Sequence, residues 1–134
     1  MDIEFDQYTR SIDRDDGVVS LEEAKDIIRQ YIDGQKEFYE SDEEPFAMSL
    51  FAFRKAWYDY LEISIMGKQD LRITFACRYT KRFFKFTYRS SFMLEYKVPA
   101  YSDLVHLVRL YYSTPTEQYK EIYSRQRYKK INTY

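Results

Sequence analysis

With 134 residues, 45% of them hydrophobic and only 3 Gly and 3 Pro, the chain has the size and composition of one folded domain, which argues against a two-lobed enzyme and against disorder. The single cysteine, Cys77, leaves no internal disulfide and no cysteine-built zinc site, so a cytoplasmic setting is expected. The net charge of −1 hides a division, because residues 1–50 carry 15 acidic and 5 basic side chains while the remainder carries 7 and 16.

The amino terminus, MDIEFDQYTR, is acidic and interrupted by charge, unlike a signal peptide. The longest uncharged apolar run, residues 46–53, falls far short of the ~20 residues of a membrane-spanning helix. Residues 13–23, DRDDGVVSLEE, look like an EF-hand calcium loop. With Gly17 at the sixth loop place, however, the first and third ligand places fall on Ile12 and Arg14, which do not coordinate calcium. An Asp-Gly turn followed by a capping box accounts for the same residues. In that box Ser20 and Glu23 open a helix carrying Leu21, Ala24, Ile27, Ile28 and Tyr31, with Gly34 as its expected end. Residues 35–45 read as an acidic loop that includes Glu40, Asp42, Glu43 and Glu44.

From residue 48 to residue 98 the period is two. Residues 46–57 fit a helix or a strand, and a strand at the sheet edge is preferred. Leu61, Ile63 and Ile65 form one strand and Leu71, Ile73, Phe75 and Cys77 another, joined by the polar turn of residues 67–70. Phe84, Phe86 and Tyr88, then Phe92, Leu94, Tyr96 and Val98, continue the alternation. Connections this short join antiparallel neighbours. The expected core face holds Leu61, Ile63, Ile65, Leu71, Ile73, Phe75, Phe84, Phe86, Leu94 and Tyr96. Glu62, Ser64, Arg72, Thr74, Arg78, Phe83, Lys85, Thr87, Arg89, Met93, Glu95 and Lys97 face outward on a mostly basic surface.

After Pro99 the helical period returns. Ser102 is the expected cap of a helix with Leu104, Leu107, Val108 and Tyr111 on one stripe. Residues 114–117, TPTE, read as a second capping box before Tyr119, Ile122 and Tyr123, and residues 125–134 as a fraying tail. The expected fold is a single α+β domain over residues 1–134: an antiparallel meander of four or five strands, packed on one face by an N-terminal helix and two C-terminal helices.

No constellation identifies a reaction, so no enzyme and no cofactor are expected. His106, the sole histidine, lies off its helix's apolar stripe, Cys77 falls in a buried row, and 3 glycines do not build a phosphate loop. The informative surplus is 15 Tyr, more than one core readily hides; Tyr58, Tyr60, Tyr79, Tyr101, Tyr112, Tyr128 and Tyr134 are expected at the surface. The leading expectation is a non-catalytic protein that occludes a partner protein. In profile it is similar to bacterial immunity proteins, single-domain α+β chains that neutralise a cognate toxin. The expected contacts are Glu40, Asp42, Glu43 and Glu44 toward a basic target, or Tyr58, Tyr60, Arg72, Arg78, Phe83, Lys85 and Arg89 toward an acidic one. The alternative is nucleic-acid binding by the same basic and aromatic sheet face.

Overall fold

The structure, a computed structural model, describes residues 2–9, 12, 14–40, 49–67 and 70–133. Strands β1 (Glu4–Thr9) and β2 (Gly17–Val18) precede helix α1 (Leu21–Glu40). Strands β3 (Ser49–Ala56), β4 (Asp59–Gly67), β5 (Asp70–Phe83) and β6 (Phe86–Val98) follow. Helix α2 (Tyr101–Ser113), a 3-10 turn (Thr116–Gln118), helix α3 (Tyr119–Ser124) and strand β7 (Lys129–Thr133) complete the chain. The strands form one antiparallel sheet in the order β2-β1-β3-β4-β5-β6-β7, six of them at least five residues long with two-residue β2 at one edge. The α+β class and the helix count agree with expectation, and β3 (Ser49–Ala56) supplies the expected strand within residues 46–57, but it lies between β1 and β4 rather than at the sheet edge, because β1 pairs along its outer side. The strand number exceeds four or five because both chain ends join the sheet.

One sheet face carries the core. Phe5, Phe51, Phe53, Leu61, Ile63, Ile73, Phe75, Leu94 and Tyr96 are buried there beneath the helices. Tyr31 of α1 stacks on Phe51 at 4.0 Å between ring centres, and Tyr123 of α3 stacks on Phe75 at 3.8 Å. Among the described residues no helix is long and apolar enough to cross a membrane.

Helix α1 begins with the expected reciprocal cap: the Glu23 amide donates to Ser20 Oγ at 3.1 Å and the Ser20 amide to the Glu23 carboxylate at 3.2 Å. Its end differs from expectation. The helix runs through Gly34 to Glu40, because one internal glycine costs only about 1 kcal/mol relative to alanine and no helix-breaking residue follows it. A Cβ on Gly34 meets nothing within 4 Å, so Gly34→Ala is expected to stabilise the fold by about 0.5–1 kcal/mol. Thermal unfolding followed by circular dichroism checks this; the midpoint should rise by about 2–5 °C, and a fall would show that residue 34 needs a conformation alanine does not adopt.

Two caps are corrected. Helix α2 starts one residue before Ser102, with Ala100 as its cap, and Asp103 accepts the Ala100 amide at 3.1 Å. The expected cap at Thr114 is displaced: the 3-10 turn starts after Pro115, and the Thr116 hydroxyl donates to Asp59 Oδ2 at 2.5 Å. The tail does not fray, since β7 pairs with β6 from Leu94↔Thr133 to Lys97↔Lys129.

Candidate functional site

Strands β5 and β6 outrun their neighbours. β4 ends its pairing with β5 at Asp59↔Cys77, and β7 covers β6 only from Leu94 to Lys97. Residues 78–83 and 86–91 therefore pair with each other as a two-stranded arm about 20 Å long. The turn is Phe84 and Lys85, closed by Phe83↔Phe86. Phe84 has φ +55°, a left-handed conformation that costs a side chain about 1 kcal/mol.

The helices stop short of the arm, so Phe84, Phe86 and Tyr88 are 81%, 73% and 49% exposed. This corrects the expected core positions of Phe84 and Phe86. Alternation counted through residue 84 loses phase at a two-residue turn, and the core parity on β6 then continues onto a ribbon with no helix beneath it. Between Leu71 and Leu94 the sequence has no acidic residue. Arg78, Lys85 and Arg89 are exposed and pair with no carboxylate among the described residues.

At the base of the arm sits the β3–β4 turn, Trp57 and Tyr58, whose rings meet edge to face at 5.2 Å. The Arg78 guanidinium lies 5.0 Å from the Trp57 ring, and the Arg78 amide donates to the Tyr58 carbonyl at 3.2 Å, which fixes the arm to the turn. Trp57, Tyr58, Tyr60, Ala76, Arg78 and Met93 line a groove of about 710 Å³ on the outer sheet face. It continues into a recess of about 300 Å³ between Trp57, Thr80 and Arg89. On the far side of Trp57 a second groove, about 770 Å³, is lined by Asp2, Glu4, Asp6 and Asp16. Asp6 there is paired with Arg54 at 2.5 Å, and the same guanidinium lies 5.0 Å over Tyr60.

The expected contact residues divide accordingly. Tyr58, Tyr60, Arg78 and Arg89 converge at the groove, and Lys85 stands at the arm tip. Arg72 is set apart, held by Asp70 at 3.0 Å and Glu95 at 4.0 Å, so the body of the outer face is balanced in charge rather than basic. Asp42, Glu43 and Glu44 lie outside the described residues, as do the side chains of Glu40 and Phe83. Sequence reasoning passed over Trp57, Phe84, Phe86 and Tyr88; the available signal was a bulky ring at a turn between strands, where no second layer reaches.

Other reactive groups are committed elsewhere. Glu23, the last residue of the EF-hand-like stretch, caps α1 and pairs with Arg14. Burial pushes the Cys77 thiol up to about 12, so it stays a neutral, inert thiol. His106 is exposed on α2. Among the described residues no three His, Cys, Asp or Glu side chains converge as metal ligands would. No protein-family model, no curated protein and no solved structure matches this chain.

Proposed function

We propose that this chain is a binding protein without a catalytic role, an inhibitor of the immunity type that occludes a partner protein by docking the β5–β6 arm. The observation that carries the reading is the exposure of Phe84, Phe86 and Tyr88 together on a ribbon rich in cations. The exposed parts of these three rings, equivalent to about two whole side chains, forgo roughly 3–6 kcal/mol of transfer free energy that an occupant would recover. Trp, Tyr and Arg, gathered here as Trp57, Tyr58, Arg78 and Arg89, are the residue types that dominate protein-binding hot spots. The matching partner surface is an apolar cleft rimmed by carboxylates.

Phe84 supplies a clean test, because glycine adopts its φ of +55° without the steric cost. Phe84→Gly with Tyr88→Ser should keep or raise the unfolding midpoint while losing the partner. The measurement is a pull-down from native lysate with tagged parent and variant: a stoichiometric protein retained by the parent and absent from the variant is expected. If the parent retains no such protein, the reading falls.

A second reading, nucleic-acid binding, draws support from the acid-free arm. It requires a steep loss of affinity with salt, about 0.7–0.9 logarithmic units of slope per phosphate neutralised. Fluorescence anisotropy with mixed oligonucleotides at low salt separates the two readings.

A further inference from the structure

The two grooves that flank Trp57 have opposite character and share that one side chain. On one side, in a groove that Lys55 also lines, Asp2, Glu4 and Asp16 make no ion pair with a described residue, while Asp6 is neutralised by Arg54, so acidic side chains outnumber basic ones there by four to two. On the other side Arg78 and Arg89 also lack a carboxylate partner among the described residues. One register row across β1, β3, β4, β5 and β6 (Glu4, Arg54, Tyr60, Ala76 and Met93) places Glu4 and Arg54 of the first groove and Tyr60, Ala76 and Met93 of the second on the outer sheet face, opposite the helices. Trp57 stands between them, 69% exposed.

A face with a negative groove, a central ring and a positive groove is complementary to itself. A two-fold axis passing by Trp57 lays the acidic groove of one copy on the cationic groove of the other, twice over, the reciprocal contact of an isologous dimer. It also places the two indoles together at the centre, where binding energy concentrates. A carboxylate set against Arg78 and Arg89 supplies the partner that each lacks among the described residues. We propose that the outer sheet face is a homodimer interface, centred on Trp57 and held by Arg78 and Arg89 of each copy against Asp2, Glu4 and Asp16 of the other. The inference does not rest on the protein-partner reading, since Phe84, Phe86 and Tyr88 line neither groove, but it uses Trp57, Arg78 and Arg89, so a second copy and a partner docked at this groove would compete.

Sedimentation equilibrium tests it without any ligand. The parent should weigh twice its 16.5 kDa at about 10 mM ionic strength, where charges act over ~30 Å, and dissociate toward monomer at about 1 M salt, where they act over ~3 Å. Trp57→Ala, a change at an exposed turn, should keep the monomer's unfolding midpoint and weaken association at least tenfold. Arg78→Glu with Arg89→Glu should be monomeric, and so should Asp2→Lys with Asp16→Lys. An equimolar mixture of these two variants should recover the dimer mass, because each supplies the charge the other has lost. A parent that stays monomeric at low salt overturns the proposal, whether or not it binds an oligonucleotide, and so does a mixture that fails to pair.

Discussion

Raising the pH from about 9 to about 11 is expected to unfold the protein cooperatively, with the ultraviolet absorbance of tyrosinate rising in that same step. Tyr31, Tyr96, Tyr111, Tyr119 and Tyr123 are all buried. In each, burial is the first cause holding the phenol's proton above the ordinary value of 10.0, and the charge of Asp59 adds to it at Tyr111, Tyr119 and Tyr123. In the unfolded chain these phenols ionise at their ordinary value. Above it the folded state binds more protons than the unfolded state, so stability falls as the pH rises. One pH unit above the ordinary value, each phenol withdraws about 1.4 kcal/mol, and five withdraw roughly 7 kcal/mol, comparable with the ~5–15 kcal/mol that holds a whole domain. Cys77 adds a smaller loss that begins near its ordinary value of 9.0. A protein whose phenols all titrate at the ordinary value while its circular dichroism is unchanged would contradict the buried tyrosine cluster.

That cluster also shows what composition leaves open. Fifteen tyrosines are more than one core readily hides, and Tyr8, Tyr58 and Tyr88 are indeed exposed, but composition does not say how many the core admits. The core encloses five, and the hydroxyls of Tyr96, Tyr119 and Tyr123 have no hydrogen-bond partner there. Ring packing outweighs the cost: Tyr119 lies 5.0 Å from Tyr123 and 5.6 Å from Tyr111, and Tyr123 is stacked on Phe75. The central strands were legible because burial on one face forces alternation, as Leu61, Ile63 and Ile65 display. The edge strands were not. β7 joins the sheet through main-chain hydrogen bonds, which require no apolar pattern, and the Tyr128 hydroxyl anchors the approach to it by donating to Asp103 at 2.9 Å. At the other edge Ile3 and Phe5 alternate with Glu4 and Asp6, a segment short and acidic enough to pass for an exposed terminus.

The site was half legible for a related reason. Arginines and tyrosines between strands mark a surface, and Tyr58, Tyr60, Arg78 and Arg89 do meet there. What alternation does not reveal is where a second layer stops. The core parity that buries Leu94 and Phe92 exposes Tyr88 and Phe86 once β6 passes beyond the helices. The turn at Phe84 and Lys85 carries neither glycine nor asparagine, so nothing in its composition marks the reversal. The Trp57 grooves depend on neighbours in β1 and β5, far apart in sequence, and only the sheet order brings Asp2 and Arg78 to opposite sides of one ring.

Replacing Asp59 by alanine is expected to destabilise the protein by about 3–4 kcal/mol, the largest effect of a single substitution here. Asp59 opens β4 directly after the Trp57–Tyr58 turn and is buried. Its carboxyl accepts from the Thr116 hydroxyl at 2.5 Å and from the Tyr111 hydroxyl at 3.0 Å, and its backbone carbonyl also accepts from Tyr111 at 2.7 Å. The Lys55 amide donates to the Tyr111 oxygen at 3.1 Å, and the Lys55 ammonium donates to the Thr114 carbonyl at 2.7 Å, 4.7 Å from the Tyr111 ring. Alanine would remove the carboxylate that accepts from Thr116 and Tyr111 and leave a void at a buried position. Asp59→Asn keeps the volume and an acceptor for Tyr111, so it should cost only about 1 kcal/mol. Urea unfolding with a common slope measures both, and Tyr111→Phe combined with Asp59→Ala should cost less than the sum of the single changes, because they dismantle one network. A loss below about 1 kcal/mol for Asp59→Ala would show that the network does not hold the sheet to α2 and the 3-10 turn. The same change should loosen the turn that carries Trp57, so dimer dissociation and domain unfolding should both shift toward lower urea in the alanine variant and far less in the asparagine one.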